Sequence, residues 1–174
     1  MKLNGYQIVN ESLNQLSDIS TPEQLLKWMS KNILYGWVGK DGKRHEGEVD
    51  GKLFYKEYFL QSPEQLFKSK LGVCWDQVEF ERTFFKRFKY KIHTVYYYNP
   101  NDNSHTFLAF EKPDGLYWFE NSFFKKRGVH GPFKTLKEIV NECSSPKKIA
   151  YWSEYKQPKY GISCDEFMNF VKRK

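Results

Sequence analysis

Cys74, His105 and the Glu120-Asn121 pair are the residues whose types and order could do covalent chemistry. Cys74 stands in Gly72-Val73-Cys74-Trp75-Asp76-Gln77, His105 in Ser104-His105-Thr106-Phe107-Leu108, and the pair closes Tyr117-Trp118-Phe119-Glu120-Asn121-Ser122. A thiolate attacks carbonyl carbon, and a thiol at a helix start is acidified because unpaired N–H groups and the positive end of the dipole favour its anion. An imidazole can take the thiol proton, and a carboxylate or amide behind the ring fixes its tautomer. Gly72 just upstream leaves room for the backbone to turn and for a substrate to approach.

The elements that must position these groups are legible. From Cys74 the apolar residues Trp75, Val78, Phe84, Phe85 and Phe88 share a helical face, with acids (Asp76, Glu79, Glu81) in the first half and bases (Arg82, Lys86, Arg87, Lys89) in the second, matching the helix dipole. Residues 91–98 are rich in β-branched and aromatic types, and turn clusters at Asn99-Pro100-Asn101-Asp102-Asn103 and Pro113-Asp114-Gly115 mark off two further strands. With Pro113 and Asp114 as turn residues, Lys112 faces Gly115 and Phe107 faces Glu120. His105 and Glu120 then project as diagonal neighbours from one sheet face. A one-residue bulge would bring Asn121 to that face instead, so either residue could orient His105.

Around this core, residues 6–17 have roughly helical apolar spacing. Thr21-Pro22-Glu23-Gln24 and Ser62-Pro63-Glu64-Gln65 are helix starts with a hydroxyl cap, proline at the first position and a glutamine that can reach back. Residues 32–58, with five glycines among charges and Tyr35, Trp37, Phe54 and Tyr55 as anchors, read as a long aromatic-pinned loop with short strand pieces. Residues 125–132 read as a basic loop. A capped helix from Thr135, a strand around residues 149–152 and a last capped helix from Ser163 follow. The element order predicts an α+β fold, with the Cys-bearing helix packed on a small antiparallel sheet, in one domain over 1–174 whose catalytic core spans about 62–124.

Other residues compete less well. His93, near the far end of its strand, and His45, in the glycine-rich stretch, read as structural; His130 is the reserve base. No pair of histidines has metal-ligand spacing, so neither metal nor cofactor is expected. Cys74, Cys143 and Cys164 form no CxxC pair or disulfide pattern, which suits a reducing, cytoplasmic setting. No apolar run suggests a signal peptide or a membrane span. A net charge of +7 permits an acidic partner, but the basic residues are dispersed and no nucleic-acid motif is present, which argues against a nucleic-acid binder.

The stretch from Gly72 to Ser122 resembles the transglutaminase-like superfamily, the papain-like group whose core is Cys, His and Asp on a helix and two following strands. The resemblance implies Cys74 as nucleophile and His105 as base. It implies a thioester formed from a peptide or protein amide and released to water or an amine, as in peptidases, deamidases and transglutaminases. The third position departs from the family, which commonly has Asp-Pro-Thr where this chain has Glu120-Asn121-Ser122. The backbone N–H of Cys74 would be one oxyanion donor. Animal transglutaminases use an upstream tryptophan as a second, which makes Trp37 the candidate here. The alternative is a scaffold that keeps these residues without turnover and serves as a binding module.

Overall fold

The structure, a computed structural model, describes residues 12–47, 51–99 and 104–172. In chain order its elements are α1 (Pro22–Asn32), β1 (Gly36–Val38), β2 (Arg44–Glu46), α2 (Gly51–Glu57), α3 (Pro63–Ser69), α4 (Cys74–Arg87), β3 (Ile92–Tyr98), β4 (His105–Lys112), β5 (Gly115–Glu120), β6 (Gly128–Phe133), α5 (Leu136–Ser144), β7 (Tyr151–Glu154) and α6 (Cys164–Val171). The fold is α+β. Strands β6-β5-β4-β3-β7 form an antiparallel sheet and β1-β2 a small two-stranded one.

Several starts and turns lie where local chemistry puts them. Thr21, Ser62, Thr135 and Ser163 each accept a hydrogen bond from the backbone N–H three residues on. The β4–β5 turn places Lys112 opposite Gly115 and Leu108 opposite Phe119, the expected register.

Three expectations are corrected. The helix expected over 6–17 is a single 3-10 turn at Leu13–Leu16 within the described residues, and residues 6–11 lie outside them. The stretch read as a loop over 32–58 contains the helix α2, whose Phe54 is buried against Trp37, Tyr58 and Trp75. The basic loop over 125–132 is largely the edge strand β6, paired with β5 despite Gly128, Gly131 and Pro132. An edge strand needs hydrogen bonds on one side only and tolerates proline and glycine that an inner strand would not. The sheet therefore has five strands.

Helices cover both sheet faces. Leu108, Phe110 and Phe119 pack in one cluster with Met29 of α1, Phe67 of α3 and Phe80, Phe84 and Phe85 of α4. Val95, Tyr97, Phe107, Ala109 and Trp118 pack on the other face with Ile139, Val140 and Cys143 of α5. Helix α4 is buried on nearly all sides from Cys74 through Phe85, more deeply than a one-faced pattern implies. Two of its inward charges are paired: Arg82 donates to both Glu79 oxygens at 3.0 and 3.2 Å and to Thr94 Oγ1 at 2.8 Å, tying the helix to β3. A third cluster joins the start of α4 to α2 and α6, where Trp75 stacks on Phe167 with ring centroids 4.3 Å apart. Such a ring pair contributes about 0.5–1.5 kcal/mol beyond its area burial.

Candidate active site

The start of α4 is built differently from those of α1, α3, α5 and α6. Its N-cap is Val73, whose side chain accepts nothing, so no hydroxyl occupies the first-turn N–H groups. Asp76 holds the turn from inside: Oδ2 accepts from Val73 N–H at 3.0 Å, and Oδ1 accepts from Tyr58 Oη and Gln61 N, both at 2.9 Å. The carboxyl is fully buried, and desolvation pushes its pKa up to about 7 although these hydrogen bonds pull the other way. Gly72 is required sterically: a Cβ there would lie 2.6 Å from Leu66 Cδ1 and 2.9 Å from Asp76 Cβ. Gln77 Nε2 donates to Gly72 O at 2.9 Å, fixing the turn from its other side. Cys74 thus emerges from a rigid helix start whose first amides face no capping oxygen.

His105 heads β4 and Glu120 ends β5. By strand alternation both belong to the face covered by α5, but at the end of the strand the imidazole also meets the helix on the other face. His105 Nε2 lies 2.8 Å from Glu120 Oε2. The Glu120 carboxylate, 2% exposed, also accepts from Trp118 Nε1 at 3.3 Å, Ser122 Oγ at 3.0 Å and Phe123 N at 2.8 Å. Burial alone would raise its pKa, but His105 and these donors outweigh burial and hold it below the ordinary value. Burial likewise disfavours the imidazolium, yet the Glu120 carboxylate, followed by the neighbouring thiols of Cys143 and Cys74, carries the His105 pKa well above 6.5.

Of the two residues that could orient His105, Glu120 contacts it. Asn121 is turned to the helix, its Nδ2 donating to Gln77 Oε1 at 2.7 Å. The other histidines are occupied elsewhere. His93 is bonded to Glu154 and Glu111 at 2.7 and 2.9 Å, His45 stacks on Trp37 at 3.9 Å, and His130, the reserve base, lies 2.7 Å from Lys126 O and packs on Trp118.

A cavity of about 300 Å³ opens beside Cys74, lined by Tyr35, Phe54, Tyr55, Trp75, Tyr98 and Met168 among others, with no charged side chain among the described residues that line it. Trp37 is not one of them; it is 1% exposed and sandwiched between His45 and Phe54. Tyr35, which the sequence offered only as a loop anchor, brings a hydroxyl to the site. Burial of that hydroxyl, followed by the field of Cys74, raises its pKa and keeps it a neutral donor, although the residue as a whole is 41% exposed. Cys143 is the second group that sequence reading passed over. It is fully buried on α5, with its Sγ 3.6 Å from Tyr97 Oη and within 4.8 Å of the nearest ligand atoms of both His105 and Glu120. Neither residue lies in a spacing pattern with Cys74; long-range pairing, such as the Leu34–Leu71 bridge beside Tyr35, brings the former in.

Compared with known proteins, the chain matches no protein-family model and no curated protein. Among the described residues, no helix is long and apolar enough to cross a membrane.

Proposed function

We propose that this chain is a cysteine-nucleophile amide hydrolase or acyltransferase with a transglutaminase-like, papain-like core, acting through a thioester acyl-enzyme. The observation that supports it most is His105 Nε2 held 2.8 Å from the Glu120 carboxylate, with the Cys74 thiol near enough to favour the charged ring. With Nε2–H donated to Glu120, the remaining ring nitrogen is the acceptor for the Cys74 proton. The thiolate sulfur then bonds to the carbonyl carbon, and the oxygen takes the negative charge. On collapse the C–N bond breaks and the leaving amine takes the proton from the imidazolium. Water or a second amine, deprotonated by His105, releases the acyl group. The amide of Cys74 at its uncapped helix start and the Tyr35 hydroxyl are the donors best placed for the oxyanion. The aromatic lining of the cavity favours an acyl side chain that packs against rings, such as a carboxamide or an apolar group, on a peptide or protein.

The test is differential alkylation and mass analysis. Cys74 should react with a haloacetamide at least about tenfold faster than Cys143 and Cys164 near neutral pH. An activated ester or a glutamine peptide should leave an acyl adduct on Cys74. Tyr35→Phe should lower kcat by about 10²-fold, the loss typical of one oxyanion donor. Uniform alkylation of the three thiols, with no adduct from any ester, would leave the binding-module reading, which the 4% exposure of Cys74 favours.

A further inference from the structure

Cys143 has no part in the proposed chemistry, yet it stands against the two groups that do. We infer that His105, Glu120 and Cys143 form a latent site for a zinc-class divalent cation, and that occupying it withdraws the imidazole from Cys74. The inhibitory half of this inference rests on the proposed function; the binding half does not.

The donor set is what a borderline metal takes: one imidazole nitrogen, one carboxylate oxygen and one thiolate sulfur. They come from β4, β5 and α5, and their ligand atoms lie within 4.8 Å of one another. Bond lengths of about 2.0–2.3 Å to a tetrahedral zinc place ligand atoms roughly 3.3–3.8 Å apart, so closure needs shifts of about an ångström. Outer contacts that would orient the ligands are already present. Glu120 Oε1 is held by Ser122 Oγ and Phe123 N, while Oε2, besides His105, accepts only the longer 3.3 Å bond from Trp118 Nε1 and is the oxygen turned to the ion; Tyr97 Oη lies beside the Cys143 sulfur. A cavity of about 690 Å³, lined by Tyr97, Asn99, Phe123, Cys143 and Ser144 among others, supplies a route and room for a water as fourth ligand. It is separate from the aromatic cavity beside Cys74, so the ion would reach the pair from behind. Lysines also line that cavity, but Lys126 Nζ is bonded to the carbonyls of Glu142, Cys143 and Ser145 at the end of α5. A thiolate and a carboxylate neutralise the dication, which suits ligands this deeply buried. On binding, the Cys143 thiol loses a proton to solvent, the imidazole proton passes from Nε2 to Nδ1, the nitrogen that would otherwise take the Cys74 proton, and the His105–Glu120 hydrogen bond is replaced by two metal–ligand bonds.

The test uses the full chain carrying Cys74→Ala, which removes the other thiol near His105, titrated with cobalt(II) chloride. The expected result is one equivalent of cobalt with a sulfur-to-metal charge-transfer band, displaced by zinc. Adding Cys143→Ser should abolish that band, and adding His105→Ala instead should weaken binding more than about 100-fold, beyond the loss seen for outer-shell changes. No charge-transfer band in Cys74→Ala, or the same band after either second substitution, would overturn the site. In the unsubstituted chain, zinc should stop turnover reversibly, and Cys143→Ser should lose that sensitivity. Because the cobalt spectrum requires no turnover, an inactive protein that binds cobalt through Cys143 keeps this site while refuting the proposed function.

Discussion

Helices α3 and α4 follow one another in the chain and begin in opposite ways. At α3 a closed capping box satisfies the turn: Ser62 Oγ accepts from Gln65 N at 3.2 Å and Gln65 Oε1 accepts from Ser62 N at 2.8 Å. At α4 only the inner half of that device exists, Asp76 reaching back to Val73 N, and no hydroxyl covers the first amides. The closed start serves stability alone. The open start gives up a cap, and in exchange leaves a patch of N–H groups beside a thiol in an aromatic cavity. Asp76 keeps the open start rigid at a cost of its own, since burial raises its carboxyl pKa to about 7 and three donors, without a cationic partner, do not offset it. Glu120, equally buried but facing an imidazole, stays ionised. The contrast shows that a charged partner, more than the number of hydrogen bonds, decides whether a buried carboxyl keeps its charge.

The largest effect should come from removing the titration of Asp76. Its folded pKa of about 7 lies above the ordinary 3.8, so the folded state binds the proton more tightly. The resulting stability is complete below about pH 4 and is lost as pH rises through 7, a swing of up to about 4 kcal/mol for a shift of this size. Asp76→Asn should flatten that part of the stability–pH curve in urea melts. It should also cost about 1–3 kcal/mol at low pH, because an amide NH₂ would face the Val73 N–H. An unchanged slope would remove Asp76 from its role at the open start. Next in size, Val73→Thr closes the open start with a nearly isosteric hydroxyl. It should raise stability by about 0.5–2 kcal/mol while slowing Cys74 alkylation roughly two- to fivefold, because the new lone pairs offset the field of the helix end. A gain in stability with unchanged reactivity would mean the open start has no chemical consequence. Smallest, Ser62→Ala opens the closed start and should cost about 1 kcal/mol in thermal unfolding with alkylation of Cys74 unaffected.

The features legible in the sequence were those with local causes. A hydroxyl followed three residues later by glutamine or glutamate marked the capped starts at Ser62 and Ser163, and Pro113-Asp114 fixed the β4–β5 register and with it the proximity of His105 to Glu120. What was not legible depended on partners distant in the chain. Strand β6 is mostly glycine, proline and polar residues and is a strand because β5 is available to pair with it. Helix α2 has no cap signal among its described residues and is held by aromatic packing on Trp37 and Trp75. The choice between Glu120 and Asn121 turned on Gln77, which takes the Asn121 amide, and neither Tyr35 nor Cys143 stands in any periodic relation to Cys74. The metal-type cluster escaped for the same reason, since spacing between histidines cannot reveal ligands supplied by three separate elements.

The order of the strands carries a consequence for kinetics. Strands β3 to β6 form a meander whose neighbours are adjacent in sequence, whereas β7 must travel back past all of them to pair with β3, and α6 arrives only after it. Closing short loops first is the faster course for a folding chain. The imidazole and its carboxylate, joined by one tight turn, should therefore meet early. The wall of the aromatic cavity contributed by Met168 should form last, so that in pulse-labelling exchange the amides of β4 and β5 gain protection before those of α6.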